Sequence, residues 1–262
     1  MNKSIGFLSI ILLLSVSSFA QDDLADYWMN KGYSLDAMGN YQESAKAYEN
    51  ATKINSSSIH AWNSLGISLL RLGRANESIE AFDRALAIDS SFTWAWNNKG
   101  LALGGIGQYK KAVLAFDNAT KIDPKYEMAF VNKGSAYIRM GEFNEAIGAL
   151  DQALKLNSNL SLAWNLKAEA FYNLGKYNES LQAYDSALEI SPDSAQTWYT
   201  KGIILSALNR SEEAIDAFNN ATRIDPKFAE AWYNLGQTLK AAGRYQEAVD
   251  AFDRGIAAKS SA

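Results

Sequence analysis

The chain of 262 residues has no cysteine, one histidine (His60) and three prolines. The missing thiols exclude disulfides, thiolate catalysis and Cys-bound zinc. A single imidazole leaves little room for His-based chemistry. Basic residues are also short of what phosphate binding needs, with 25 Lys+Arg against 29 Asp+Glu and a net charge of −4. A nucleic-acid partner is therefore not expected. No nucleophile–base pair, phosphate loop or metal-ligand spacing appears. The expectation is a chain without cofactor or metal and without catalytic activity.

Long apolar runs occur only at the N-terminus. Lys3 precedes the apolar stretch from Ile5 to Val16, and Ser18 and Ala20 occupy the −3 and −1 positions of a cleavage site. This order of basic start, short apolar core and small residues is that of a secretory signal. We read 1–20 as a cleaved signal and 21–24 as a short lead. The apolar run falls short of the ~20 residues of a spanning helix, and nothing downstream is apolar enough to cross a membrane. The expected location is secreted, cell-surface or periplasmic.

What the chain has in abundance is repetition. Trp28, Trp62, Trp96, Phe130, Trp164, Trp198 and Trp232 follow one another at intervals of 34 residues. A fixed period of this length indicates a solenoid. Seven repeats result: 25–58, 59–92, 93–126, 127–160, 161–194, 195–228 and 229–262. Positions within a repeat are numbered here as slots 1 to 34, with the aromatic series at slot 4.

Slot 15 holds glycine in every repeat but the sixth, which has Asn209. This is a helix stop, where the backbone turns left-handed. Slot 8 holds glycine, with Ala168 the one substitute; glycine inside a helix costs ~1 kcal/mol, so its recurrence implies close approach by another helix. Slot 24 is large and slots 20 and 27 are small, giving one face of a second helix, and slot 27 is the surface expected to face slot 8. All three prolines, Pro124, Pro192 and Pro226, sit in slot 32, beyond a helix end. Each repeat therefore reads as helix A (slots 1–14), a tight turn and helix B (about slots 17–30). One such hairpin cannot bury its own faces, so neighbours must stack.

The W-x-x-x-G of slots 4–8, the small residues at 20 and 27, the aromatic at 24 and the proline at 32 resemble the tetratricopeptide repeat, over everything after the signal. The resemblance implies an all-α fold, a right-handed superhelical solenoid of seven antiparallel helix pairs. It also implies protein or peptide binding without catalysis, in a concave groove lined by slots 2, 5, 6, 9, 12 and 13 of the A helices. In those slots the middle repeats are apolar and the terminal ones polar. The candidate groove residues are Ile67, Leu70, Trp94, Leu101, Met128, Ile138, Leu162 and Tyr172, with Asn98 and Asn132 from slot 6. Two readings stand open: an apolar groove that takes a partner's segment, or side chains that pack against one another across a tight superhelix.

Slot 6 runs Asn30, Ser64, Asn98, Asn132, Leu166, Thr200 and Asn234. It is similar to the asparagine ladder of O-linked N-acetylglucosamine transferases, where amides hold a peptide backbone; asparagine here is also common across the family. The family's carboxylate clamp, built on Lys and Arg at slots 2, 5 and 6, is absent. Lys31, Lys99, Lys133, Lys167 and Lys201 occupy slot 7. Either their stems lie along apolar surface with the ammonium groups in water, or they form a stripe for an acidic partner.

Beyond residue 20, N-x-S/T sequons begin at Asn50, Asn55, Asn76, Asn118, Asn159, Asn178, Asn209 and Asn220, where composition alone gives roughly three. They are candidates for glycosylation, or copies of one ancestral sequon. With the signal, they make the chain similar to secreted and surface repeat proteins of archaea; a bacterial periplasm suits the signal equally. The last repeat shows no extra capping helix, which leaves homo-oligomerisation through its open face as a second role. If the signal reading holds, the chain recovered from its exporting host begins at Gln21. Intact-mass measurement checks this, and a mass that retains Met1–Ala20 contradicts it.

Overall fold

The computed structural model describes residues 23–260; the signal and all but two residues of the lead lie outside or at the edge of these. The described residues form fourteen helices and no strand. The A helices are α1 (23–37), α3 (Ile59–Arg71), α5 (Thr93–Gly105), α7 (Glu127–Met140), α9 (Ser161–Asn173), α11 (Ala195–Ala207) and α13 (Ala229–Ala241). The B helices are α2 (Tyr41–Ile54), α4 (Ala75–Ile88), α6 (Tyr109–Ile122), α8 (Phe143–Leu156), α10 (Tyr177–Ile190), α12 (Ser211–Ile224) and α14 (Tyr245–Ser260). These bounds place helix A at slots 1–13 and helix B at slots 17–30, save that α1 starts two residues earlier, α7 ends one later and α14 ends two later. The fold class is the expected one, all-α with antiparallel helix pairs. The chain divides into two compact parts, the first ending at Ala136 and the second starting at Tyr137.

Slot 15 ends helix A as the pattern demands. Gly73 has φ 75° and Asn209, the lone substitute, has φ 59°. In each case the next backbone N–H reaches back to close the turn, as Arg74 does to the Leu69 carbonyl at 2.9 Å and Arg210 to Leu205 at 2.9 Å. This satisfies carbonyls that the helix end would otherwise leave orphaned.

In the first part, the pairing of A and B helices rests on slot 8. A methyl group on Gly66 would come 2.5 Å from the Phe82 ring, and one on Gly100 2.5 Å from Phe116. The ring of slot 24 thus lies flat on the bare backbone of slot 8. A hydroxyl beside it completes the contact: Ser78 at slot 20 donates to the Gly66 carbonyl at 2.7 Å. Phe82, Ala85, Leu86, Ala95 and Ala102 form one core cluster, joining the B helix of repeat 2 to the A helix of repeat 3.

The second part repeats the arrangement. Gly202 lies 2.7 Å, by the same measure, from Phe218, and Gly236 lies 2.6 Å from Phe252. Ala168 replaces the glycine above Tyr184, and both are buried; Ser180 donates to the Ala168 carbonyl at 2.8 Å. One expectation is corrected. The partner of slot 8 is the ring of slot 24, not the small residue of slot 27. Slot 27 faces slots 1, 4 and 5 of its own repeat, as a methyl on Gly255 would meet Trp232 Cβ at 3.2 Å and the Ala229 carbonyl at 3.6 Å. Slot 27 sits a full turn past the ring along helix B, opposite the start of helix A.

The glycine at slot 8 is therefore steric, while Gly104 and Gly105 have open space around them. Gly100→Ala is expected to lower stability by about 1–3 kcal/mol through overpacking. Gly104→Ala is expected to raise it by up to about 1 kcal/mol through helix propensity. Urea unfolding midpoints of the two variants should move in opposite directions.

Candidate partner-binding surface

The exposed faces of the A helices are set by how each repeat is joined to the one before it. Three contacts recur at these joints. The slot 4 indole donates to the slot 32 carbonyl of the preceding repeat: Trp62 to Ser56 at 2.9 Å, Trp96 to Ser90 at 2.8 Å, Trp164 to Ser158 at 3.0 Å, Trp198 to Pro192 at 2.8 Å and Trp232 to Pro226 at 3.0 Å. Phe130, which has no N–H, cannot make this bond to Pro124.

The second contact is ionic. Slot 7 lysines pair with slot 25 aspartates of the preceding repeat: Lys99 with Asp83 at 2.5 Å, Lys133 with Asp117 at 2.5 Å, Lys167 with Asp151 at 2.6 Å, and Lys201 with Asp185. Lys99, Lys167 and Lys201 also lie over the indoles of Trp96, Trp164 and Trp198, 5.0–5.4 Å from the ring centres. The stems lie along apolar surface, as the first reading of the stripe has it, but the ammonium groups differ from both readings. Their ammonium groups are held by carboxylates within the chain rather than by water or an acidic partner.

The third contact is amide to amide, at a spacing of 35 residues. Asn98 donates to Asn63 Oδ1 at 3.2 Å and Asn132 donates to Asn97 Oδ1 at 2.9 Å. Asn97 and Asn98 are linked at 3.5 Å, so the amides run as a relay over α3, α5 and α7. In the second part Asn234 donates to the Tyr199 hydroxyl at 3.2 Å. The slot 6 amides thus spend one donor locking neighbouring A helices. Asn98 and Asn132 retain a second N–H and lone-pair capacity on the oxygen, whereas Asn234 also donates to the Glu230 carbonyl at 2.9 Å.

The groove residues of the first part share the faces of α3, α5 and α7. Trp94 is 65 % exposed and Leu101 41 %, two turns apart on α5. Ile67, Leu70, Asn98, Met128 and Asn132 are half-buried around them. In the second part Leu162 is 54 % exposed and Tyr172 42 %. They line a recess of about 590 Å³ between α9 and α11, with Asn165, Glu169, Gln196 and Thr200 as its polar groups. Tyr184 forms part of its wall; burial first, and then the Glu169 charge, push the Tyr184 phenol up, so it stays a donor. Ile138 is corrected: it is buried, so it belongs to the packing and not to the exposed face. It lies in the last turn of α7, where slot 12 of the other repeats stays at least partly open.

Asp36, at a groove slot of the first repeat, is committed to the fold. Its carboxylate accepts from Ser44 Oγ at 2.5 Å, Ser68 Oγ at 3.0 Å and Tyr48 OH at 3.1 Å. Burial, followed by this carboxylate, pushes the Tyr48 phenol well above its ordinary value. His60 is exposed and meets Phe92 edge-on, ring centres 5.5 Å apart. Among the sequon asparagines, Asn76, Asn159, Asn178 and Asn209 are exposed, while Asn50, Asn55, Asn118 and Asn220 are half-buried. Among the described residues no helix is long and apolar enough to cross a membrane.

Family models of the tetratricopeptide repeat match residues 29–91, 93–126, 131–195 and 199–262. The chain belongs to the tetratricopeptide repeat family. A search of curated proteins gives no match. Among solved structures, a tetratricopeptide repeat protein of Parabacteroides merdae is similar, at 16% identity over 90% of this chain and 93% of that one, with a TM-score of 0.69. The pilF protein of Pseudomonas aeruginosa is 21% identical over 79% and 94% of the two chains, TM-score 0.67. YrrB, described as a tetratricopeptide repeat protein with an unusual peptide-binding site, is 22% identical over 71% and 96%, TM-score 0.58. At these identities the likeness is one of fold.

Sequence reasoning missed the aspartates of slot 25 and the asparagines Asn63 and Asn97. The signal for both was present as constant spacings across the repeat boundary, 16 residues for Asp to Lys and 35 for amide to amide. Asp36→Ala is expected to lower stability by about 1–3 kcal/mol, because it removes the carboxylate to which the Ser44, Tyr48 and Ser68 hydroxyls donate. Adding Tyr48→Phe should return part of the loss. Thermal or urea unfolding of the single and double variants measures the difference.

Proposed function

We propose that the chain is a non-catalytic scaffold that binds a protein or peptide segment on the exposed faces of its A helices. The observation that carries this is the exposure of Trp94, Leu101, Leu162 and Tyr172 on those faces, where family members present their binding surface. Large apolar side chains left in water, Trp94 and Leu101 in the first part and Leu162 and Tyr172 in the second, mark a contact site in each. An incoming segment would bury its own apolar side chains against them. The free N–H and oxygen of Asn98 and Asn132, with Asn165 and Gln196, would meet its backbone. An amide both donates and accepts, so such contacts hold a chain without selecting its sequence. Specificity would come from the apolar anchors and from Glu169 within the α9–α11 recess.

The scaffold acts outside the cytoplasm on this reading, at a cell surface or in a periplasm. The support is the basic start, apolar run and small residues of 1–20, and the density of sequons on exposed and half-buried positions.

Affinity capture with the exported chain tests the proposal against a Trp94→Ala/Leu162→Ala control. Both side chains are more than half exposed, so the control keeps its fold. Each truncated aromatic or leucine anchor should weaken binding by about 10-fold or more. Recovery of the same partners in the same amounts by both baits would sink the surface proposed here.

A further inference from the structure

The inter-repeat joint has two halves, and the chain carries one of each in an open state. Lys31, at slot 7 of repeat 1, lies over the Trp28 ring at 4.8 Å, as the paired lysines lie over theirs. It is exposed and has no carboxylate partner among the described residues. Asp253, at slot 25 of repeat 7, is likewise exposed and without a cation. Four joints within the chain bring these two slots together. Where slot 7 is leucine, slot 25 of the preceding repeat is not aspartate but Glu49 before Leu65 and Asn219 before Leu235.

The apolar parts of the two faces correspond in the same way. At the joint of repeats 2 and 3, slots 34 and 3 (Phe92 and Ala95) pack on slots 24, 27 and 28 (Phe82, Ala85 and Leu86). The residues equivalent to Phe92 and Ala95 before repeat 1 are Leu24 and Tyr27, 47 % and 55 % exposed. The equivalents on repeat 7 are Phe252, Gly255 and Ile256, and they line an open recess of about 560 Å³. Ile256 is 67 % exposed. Each face also carries a departure from the repeat pattern. Slot 3 is alanine in five repeats and threonine in one, yet tyrosine in repeat 1; slot 27 is alanine in six repeats, yet glycine in repeat 7. The larger side chain belongs to the face that would enter the recess beside Gly255 and Ile256.

We infer that repeat 7 of one chain docks repeat 1 of a second copy, with Lys31 of one paired to Asp253 of the other and Tyr27 seated over Gly255 and Ile256. The contact is head-to-tail, so it joins unlike faces and leaves one of each open on the pair. It uses neither Trp94 nor Leu162, and stands or falls apart from the partner-binding proposal.

Sedimentation velocity or light scattering of the full chain over a range of concentrations tests it. Association should rise with concentration. K31E and D253K should each weaken it by about tenfold, since each sets like charges face to face. An equimolar mixture of K31E and D253K chains should associate again, because opposite charges then meet at both kinds of mixed junction. The double variant K31E/D253K should associate like the parent. A chain that stays monomeric at all concentrations overturns the inference. So does association that neither single reversal weakens, or that mixing fails to restore.

Discussion

Everything in this fold depends on an aromatic ring lying against a helix with no side chain beneath it. Slot 8 is bare so that slot 24 can approach to a distance at which even a methyl group would clash. That approach brings the A and B helices of one repeat close enough for a slot 20 hydroxyl to reach the slot 8 carbonyl. Close-packed interiors tolerate few voids, so the ring is both the filler and the spacer of the hairpin. Across repeats slot 24 is Tyr, Phe or Leu, always above Gly or Ala, so a large side chain meets a small one in every hairpin.

Hairpins built this way need a second device to hold them in register. The indole bond, the lysine–aspartate pair and the amide relay all cross from one repeat to the next, and all three spring from the A helix. They occupy the flank of that helix and leave its outer face to Trp94, Leu101, Leu162 and Tyr172. A side chain that positions the surface is in this way one or two places from a side chain that is the surface. The neighbouring Asn97 and Asn98 divide these roles, the first buried and the second half-exposed.

Local features were the legible ones. Helix ends could be placed to within a residue, because slot 15 requires a left-handed backbone and its exception is Asn209. The close approach at slot 8 was also readable, since glycine inside a helix needs a reason. Its partner was not: slots 24 and 27 are both on the facing side of helix B, and periodicity alone does not rank them. Contacts across repeats were harder. A lysine read within its own repeat is a solvated cation, and only the constant 16-residue offset to aspartate shows what holds it. Ile138 was misplaced for a related reason, since a slot's average exposure does not fix that of each member.

The four lysine–aspartate pairs serve only the joints from repeats 2–3 to 5–6. At the joints of repeats 1–2 and 6–7, slot 7 is Leu65 or Leu235, both buried. Slot 7 thus makes ionic couplings at the middle joints and apolar ones at the terminal joints, where Arg244 and Glu212 add an exposed ion pair between repeats 6 and 7. Added salt screens the first, whereas strongly hydrated anions such as sulfate reinforce the second. The seam that yields first under strain is then not a fixed place in the chain, and it migrates from the flanks to the centre as the surrounding brine thickens.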